Sequence, residues 1–277
     1  ATGSPASSFA PKAKLIMVDL DRNELAKMAK IGRPCTTIQA DAKAFIESLR
    51  PCGNYNGWLG KISRWMRDYP AVLPEYGRDS PYRIMQQLGE FLIEDDVVVS
   101  DTGCPLAWAM QALPIKGRFI HAMNQTPMGY GLPASVGAAA AHKGRVILLT
   151  GDGGLSVNIT EMATIAKHDL NVKVILFNNH GHAMCRQTQQ QWLGGAFHGT
   201  SAKDLATPDF EAVAESYGIL TFRTLDSLMR DGDGPAFLEL KIDDNQGVVP
   251  QVRFGKSIED ADPALPESVL KEIMSDG

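Results

Sequence analysis

The sequence is poor in cysteine, and it lacks the long features that would assign it to a membrane or a nucleic acid. Four cysteines occur in 277 residues. They are Cys35, Cys52, Cys104 and Cys185, and no CxxC pair is among them. That scatter argues against a zinc ribbon and offers no ligand set for an iron–sulfur cluster. Isolated thiols in a chain of this size read as a reducing, cytoplasmic setting. No apolar stretch is long enough to span a bilayer, and no signal-peptide pattern is visible. There is no basic run. With 27 basic and 32 acidic residues the formal charge is −5, so neither nucleic acid nor an anionic membrane is expected as a partner. No internal repeat or low-complexity segment stands out. An initiator Met is also missing: Ala1 to Pro11 is small and polar, and a strand then enters abruptly at Lys14–Asp19. This reads as a fragment, or as one chain of a split enzyme.

What the chain does have is an ordinary core-forming composition, 44% hydrophobic and 21% charged, and a regular alternation of element types. Residues 12–50 read as strand, helix (Arg22 to Lys30), short strand (Thr36–Ile38) and helix (Asp41 to Leu49). Residues 51–80 carry scattered Pro, Gly and Asn around an amphipathic stretch, Trp58 to Arg67, and read as a linker with one helix. From Pro81 the pattern becomes helix, strand, helix, strand. Val97–Val99, Arg118–Ile120, Val146–Leu149, Val172–Phe177 and Ala236–Ile242 are the strands. The helices are Pro81–Leu92, Pro105–Ala112, Pro133–Ala141, Ile159–His168 and Asp209–Tyr217, with an irregular region from Asn178 to Lys203. Continuous Val/Ile/Leu strands between helices predict an α/β fold, a doubly wound parallel sheet with helices on both faces.

Two of these strands end on polar residues of one kind. Val146–Leu149 runs into Gly151-Asp152-Gly153-Gly154, and Val172–Phe177 into Asn178-Asn179-His180-Gly181. Oxygen ligands at the C-terminal ends of two parallel strands lie where an open α/β sheet builds its ligand crevice. A carboxylate, an amide oxygen and a Gly-rich turn suit Mg²⁺ and a diphosphate. Taken singly, Asp152 would read as a helix N-cap and Asn179 as a turn residue.

The pair Gly151-Asp152-Gly153 and Asn178-Asn179, so spaced, resembles the fingerprint of the thiamine-diphosphate enzymes. Asn124-Gln125-Thr126-Pro127-Met128-Gly129-Tyr130-Gly131-Leu132-Pro133-Ala134 resembles a further segment of that family, and Val99-Ser100-Asp101-Thr102-Gly103 its first diphosphate turn. Leu15–Asp19 and Ile38–Ala42 resemble the end of its central domain. The framing is acetolactate synthase-like. The resemblance implies that 1–50 ends a central domain, 51–80 links, 81–255 is the thiamine-diphosphate-binding domain and 256–277 is a tail. The family's pyrimidine-binding domain, with its glutamate, has no counterpart here. The resemblance therefore implies a partner chain or segment carrying it, within a homodimer or tetramer.

Residue by residue, the resemblance implies Asp152, Asn179 and the Gly181 carbonyl as Mg²⁺ ligands. Thr102, Gly103 and Gly151 would border the diphosphate, and the backbone N–H groups of Gly153, Gly154 and Leu155 at the start of the next helix would hold it. Met128 would stand beneath the cofactor and force its two rings into a bent arrangement, with the Thr126 carbonyl accepting from the aminopyrimidine. Met128 and His182 are the catalytic candidates, His182 for proton transfer, and Met184 would border cofactor and acceptor. Thr188 stands where acetolactate synthases have a Trp, which implies an altered acceptor site. A metal site from His180, His182 and Cys185 is set aside, because side chains two apart on a turn rarely converge. The implied activity is decarboxylation of a 2-oxoacid, pyruvate first, with carboligation to a carbonyl acceptor. Flavin is left open. The competing readings are a β-type subunit of a 2-oxoacid oxidoreductase and a non-catalytic cofactor-binding subunit.

Overall fold

The computed structural model describes residues 13–28, 34–50, 53–252, 256 and 260–275. Residues 253–255, the end of the expected 81–255 domain, lie outside the described residues. The chain divides into two compact units. One is formed by the described residues up to Tyr69 and from Pro250 onward, the other by Pro70–Val249.

In the first unit, β1 (Leu15–Asp19) pairs in parallel with β2 (Cys35–Gln39), and α1 (Arg22–Met28) and α2 (Ala42–Ser48) follow them. Asp41 caps α2 by accepting from the Ala44 amide at 2.9 Å, which supplies a partner for an otherwise orphaned N–H. The 51–80 stretch carries α3 (Asn56–Asp68).

The second unit opens with α4 (Pro81–Phe91), β3 (Val97–Ser100), α5 (Cys104–Ala112), β4 (Arg118–His121) and α6 (Gly131–Ala141). Next come β5 (Val146–Gly151), α7 (Asp152–Val157), a 3₁₀ turn, α8 (Met162–Lys167), β6 (Val172–Asn178) and α9 (Ala183–Trp192). It closes with α10 (Phe210–Ser216), β7 (Leu220–Phe222), α11 (Leu225–Arg230) and β8 (Ala236–Lys241). The first unit then adds β9 (Gln251–Val252), β10 (Ala261–Asp262) and α12 (Glu267–Ser275). Among the described residues no helix is long and apolar enough to cross a membrane.

Six strands form one parallel sheet in the order β4-β3-β5-β6-β8-β7. The alternation of side chains along each strand sorts the core into two layers. Val98, Ile147, Leu149, Ile175, Phe177 and Leu238 pack on one face with Tyr82, Leu88, Trp108 and Leu228 from α4, α5 and α11. Val99, Leu148, Val174, Leu176 and Phe237 pack on the other with Leu132, Leu155, Ile165 and Phe210 from α6, α7, α8 and α10. This is the doubly wound sheet that the sequence predicts. Each fully buried aliphatic side chain contributes about 1.5–3 kcal/mol, so the strand ends are held more firmly than the loops between them. The chain leaves β3 toward β4 and leaves β5 toward β6, in opposite directions across the sheet. The crevice that this reversal opens lies beyond the carboxyl ends of β3 and β5.

Three readings of the sequence need correction. The region to Lys203 is not irregular throughout, since α9 occupies Ala183–Trp192. The helix expected over Ile159–His168 is split into a 3₁₀ turn, Ile159–Glu161, and α8. Strand β7 and helix α11 also lie in a stretch left without elements. The Thr224 hydroxyl caps α11, accepting from the Ser227 amide at 3.1 Å.

Candidate active site

A cleft of about 480 Å³ opens at the β3–β5 crevice. The turn after β3 contributes Thr102 and Gly103, and the entry to α5 contributes Cys104 and Pro105. The loop before α6 contributes Thr126 and Met128. The β5 end brings Gly151, Asp152, Gly153 and Gly154, and the β6 end brings Asn179, Gly181 and His182. Helix α9 adds Ala183, Met184 and Cys185. Every expected cofactor-contact residue except Leu155 therefore lines one cleft. The Leu155 side chain is fully buried in the core beneath it. Thr188 does not line the cleft: it is exposed on α9, with its hydroxyl donating to the Met184 carbonyl at 2.9 Å.

The deepest part is a cluster of oxygens. Asp152 is 2% exposed. Its Oδ2 accepts from the Gly181 amide at 2.8 Å and its Oδ1 from the Gly153 amide at 2.9 Å. The Asn179 side-chain amide turns into the same cluster, its head 2.8 Å from the Gly181 carbonyl oxygen and 3.3 Å from Asp152 Oδ1. With its nitrogen inward, the amide donates to both oxygens. With its oxygen inward, the amide would instead add a third hard donor for a cation. Ligands of a hard octahedral cation at 2.0–2.1 Å stand about 3.0 Å apart, and these spacings bracket that value. Burial raises the Asp152 carboxyl above the ordinary aspartate range, while the Gly181 and Gly153 amides act against the rise. A dication beside it would reverse that shift. Among the described residues no group of three or more His, Cys, Asp or Glu is placed to hold a metal, so His180, His182 and Cys185 do not converge on one.

Glycine supplies the space around this cluster. A Cβ at Gly153 would lie 2.6 Å from His182 Cδ2 and Nε2, and 3.2 Å from Met128 Cε. His182 and Met128 thus flank the entry to α7, and only a residue without a side chain leaves the gap between them open. A Cβ at Gly181 would stand 2.4 Å from the Thr200 carbonyl oxygen. The same carbonyl accepts from the His182 amide at 3.1 Å. Thr126 holds a φ of +46° and His180 one of +51°, conformations costly for residues other than glycine and concentrated at functional turns.

Helix α9 is secured by two glutamines. Gln187 Nε2 donates to the Val248 carbonyl at 2.8 Å, and its Oε1 accepts from the Val248 amide at 2.9 Å. Gln189 Oε1 accepts from the His198 amide at 3.1 Å, while Nε2 donates to the His198 carbonyl at 3.0 Å. The segment that follows α9 is therefore tied back to it at His198. Sequence reasoning passed over Cys104 and Trp108 as cleft residues, and over Asp101, whose carboxylate lies just behind it. Asp101 stood inside a recognised turn, but nothing in its local pattern marks its side chain.

Residues 101–239 match the family model described as "Thiamine pyrophosphate enzyme, C-terminal TPP binding domain". The chain belongs to the thiamine-pyrophosphate enzymes. It is 30% identical over 266 residues to the acetolactate synthase large subunit of Porphyra purpurea, covering 90% of this chain and 45% of that one. It is 31% identical over 265 residues to the isozyme 2 large subunit of Escherichia coli, covering 91% and 47%. The Lactococcus lactis large subunit is 28% identical over 264 residues. The chain spans a little under half the length of these curated relatives. Membership in this family does not favour the 2-oxoacid oxidoreductase reading.

Proposed function

We infer that this chain provides the diphosphate- and cation-binding half of an acetolactate synthase-like enzyme. The proposed reaction is decarboxylation of a 2-oxoacid, pyruvate first, with transfer of the remaining acyl unit to a carbonyl acceptor. The observation that carries this reading is the convergence of the Asp152 carboxylate, the Asn179 amide and Gly181 beside the glycine-lined entry to α7. Mg²⁺ is the proposed occupant, because all three donors are hard oxygens.

When bound, thiamine diphosphate supplies an acidic ring carbon that acts as nucleophile and an electron sink for the departing carboxylate. The chain's own residues place and shield that chemistry. Asp152, Asn179 and the Gly181 carbonyl would hold the cation. The backbone amides that open α7 are proposed to hold the diphosphate. Met128 stands across the gap from His182 and would give the cofactor an apolar support. His182 is the proposed proton carrier on this chain, since its ring borders the same gap. Met184 and Cys185 on α9 bound the acceptor side, and the exposed Thr188 leaves that side less walled. The remaining elements, a pyrimidine-binding domain and its glutamate, are proposed to come from another chain or another segment, within an oligomer. The coverage of under half of each relative supports this division. Free thiols at Cys35, Cys104 and Cys185 support a reducing, cytoplasmic setting.

The test has two stages. The chain with Mg²⁺ should bind thiamine diphosphate in a titration. The complete assembly, given pyruvate and both cofactors, should release CO₂. An assembly that binds the cofactor but releases no CO₂ from pyruvate or other 2-oxoacids would sink the catalytic reading and favour a non-catalytic subunit.

A further inference from the structure

The cleft walls come from segments far apart in sequence, and one buried side chain touches three of them. Asp101 follows β3 and is fully buried. Its Oδ1 accepts from the Thr102 amide at 2.7 Å and from the Gly129 amide at 3.2 Å. The Thr150 hydroxyl, near the end of β5, lies 3.4 Å from Oδ2. A Cβ at Gly154 would stand 2.6 Å from Oδ2, and one at Gly131 would stand 2.9 Å from Asp101 Cβ. The carboxylate is thus packed against the starts of both α6 and α7.

The loop it holds is the one that carries Met128. Gly129 has a φ of +81°, a conformation open to glycine at little cost. Its N–H is gripped by Asp101, and its carbonyl accepts from Asn158 Nδ2 at 2.8 Å. Met128 is therefore the residue just before a doubly held glycine. Burying a carboxylate among amides and a hydroxyl is expensive, and burial raises the Asp101 carboxyl above the usual range. A costly group kept at such a junction fits a protein that trades stability for site geometry.

We propose that Asp101 is a positioning residue of the active site: its carboxylate locks the Met128 loop to the turns after β3 and β5. It thereby fixes where Met128 stands against Gly153 and Asp152. The assignment rests on the reading of Met128 given above, but the lock itself can be measured without cofactor.

The decisive experiment is hydrogen exchange by mass spectrometry on wild type, Asp101→Asn and Asn158→Ala. Asp101→Asn keeps size and one acceptor but turns the other oxygen into a donor. Exchange in peptides covering 122–131 is expected to rise at least tenfold in both variants, with β6 and β8 peptides unchanged. In the complete assembly, kcat for the Asp101→Asn variant is expected to fall at least tenfold, with the KM for pyruvate changed less than threefold. Unchanged exchange at 122–131, or a uniform loss of protection with kcat preserved, would overturn the proposal. If Asp101→Asn does not fold, Thr150→Val decides: it removes the hydroxyl that lies 3.4 Å from Asp101 Oδ2 and also 3.2 Å from the Gly151 carbonyl. Faster exchange at 122–131 then supports the lock, and unchanged exchange rejects it. A wild-type protein that binds no thiamine diphosphate would sink the functional reading separately.

Discussion

Gly153→Ala is the substitution in which the geometry makes its clearest commitment. The new methyl would sit 2.6 Å from the His182 ring and 3.2 Å from Met128 Cε. Ordinary contacts are about 3.5–4.0 Å, so His182 must swing or the loop must yield. Overpacking of this kind costs about 1–3 kcal/mol. Replacing glycine in a helical turn returns about 0.5–1 kcal/mol. The net loss is then about 0–2.5 kcal/mol, or a fall in Tm of no more than about 10 °C for a domain of this size. Binding should suffer more than folding, because the methyl enters the gap between His182 and Met128. A Kd for thiamine diphosphate with Mg²⁺ weakened about 10–100-fold corresponds to about 1.4–2.8 kcal/mol. Differential scanning fluorimetry and isothermal titration on the same samples separate the two effects. Gly137→Ala is the control: it lies in α6 with nothing within 4 Å of the new Cβ. That variant should gain about 0.5–1 kcal/mol and bind as wild type does. If Gly153→Ala bound cofactor within twofold of wild type, the gap would not be the cofactor's and the argument would be wrong.

Asp152→Asn should abolish the Mg²⁺ dependence of thiamine diphosphate binding. The accompanying loss of affinity should exceed the roughly 10–100-fold seen when a ligand's outer support is removed, as read by titration with and without metal. The pH dependence follows from the raised Asp152 carboxyl. In the metal-free chain, stability from this group is present at acid pH and is lost as pH rises through its folded pKa. A cation binds only the ionised form, so the rise in Tm on adding Mg²⁺ and cofactor should grow with pH through that range and then level off. A gain in Tm that does not vary with pH would count against Asp152 as ligand. Far from the cleft, Lys173 is fully buried, with Nζ on Asp231 Oδ2 and on the carbonyls of Gly232 and Gly234. Lys173→Met strands those partners and should cost about 3–5 kcal/mol, seen as a lower denaturant midpoint with cofactor affinity kept in the surviving folded fraction.

Much of this architecture was legible because strands and turns announce themselves locally. Val146–Leu149 and Val172–Phe177 are uniformly apolar and stop at polar, glycine-rich turns, so their ends mark the crevice. Helix α9 was not legible. Its run from Met184 to Gln191 is mostly polar and shows no amphipathic stripe, and its stability comes from Gln187 and Gln189 bonding to Val248 and His198. Strand β7 has three residues, too few for a period to show. Asp101 belongs to a turn legible in the sequence, yet its side chain reaches Gly129, 28 positions away, and Thr150, 49 away. No window of sequence contains such a junction.

The register of the sheet has a consequence for how this protein can be altered. Ser100 pairs with Leu149, and Gly151 with Phe177. The separation of Asp152 from Asn179 is therefore metered by adjacent strands about 4.8 Å apart, not by any side chain that could be exchanged. Length and sequence are decoupled as design variables. Substitutions on the helices change packing and leave the meter intact, and residues added to the loop from Leu193 to Gly199 fall outside it. One residue inserted within β6 would advance Asn179 past Asp152 by a full strand step of about 3.3 Å. Such an insertion would separate a protein that still folds from one that can still hold a cation.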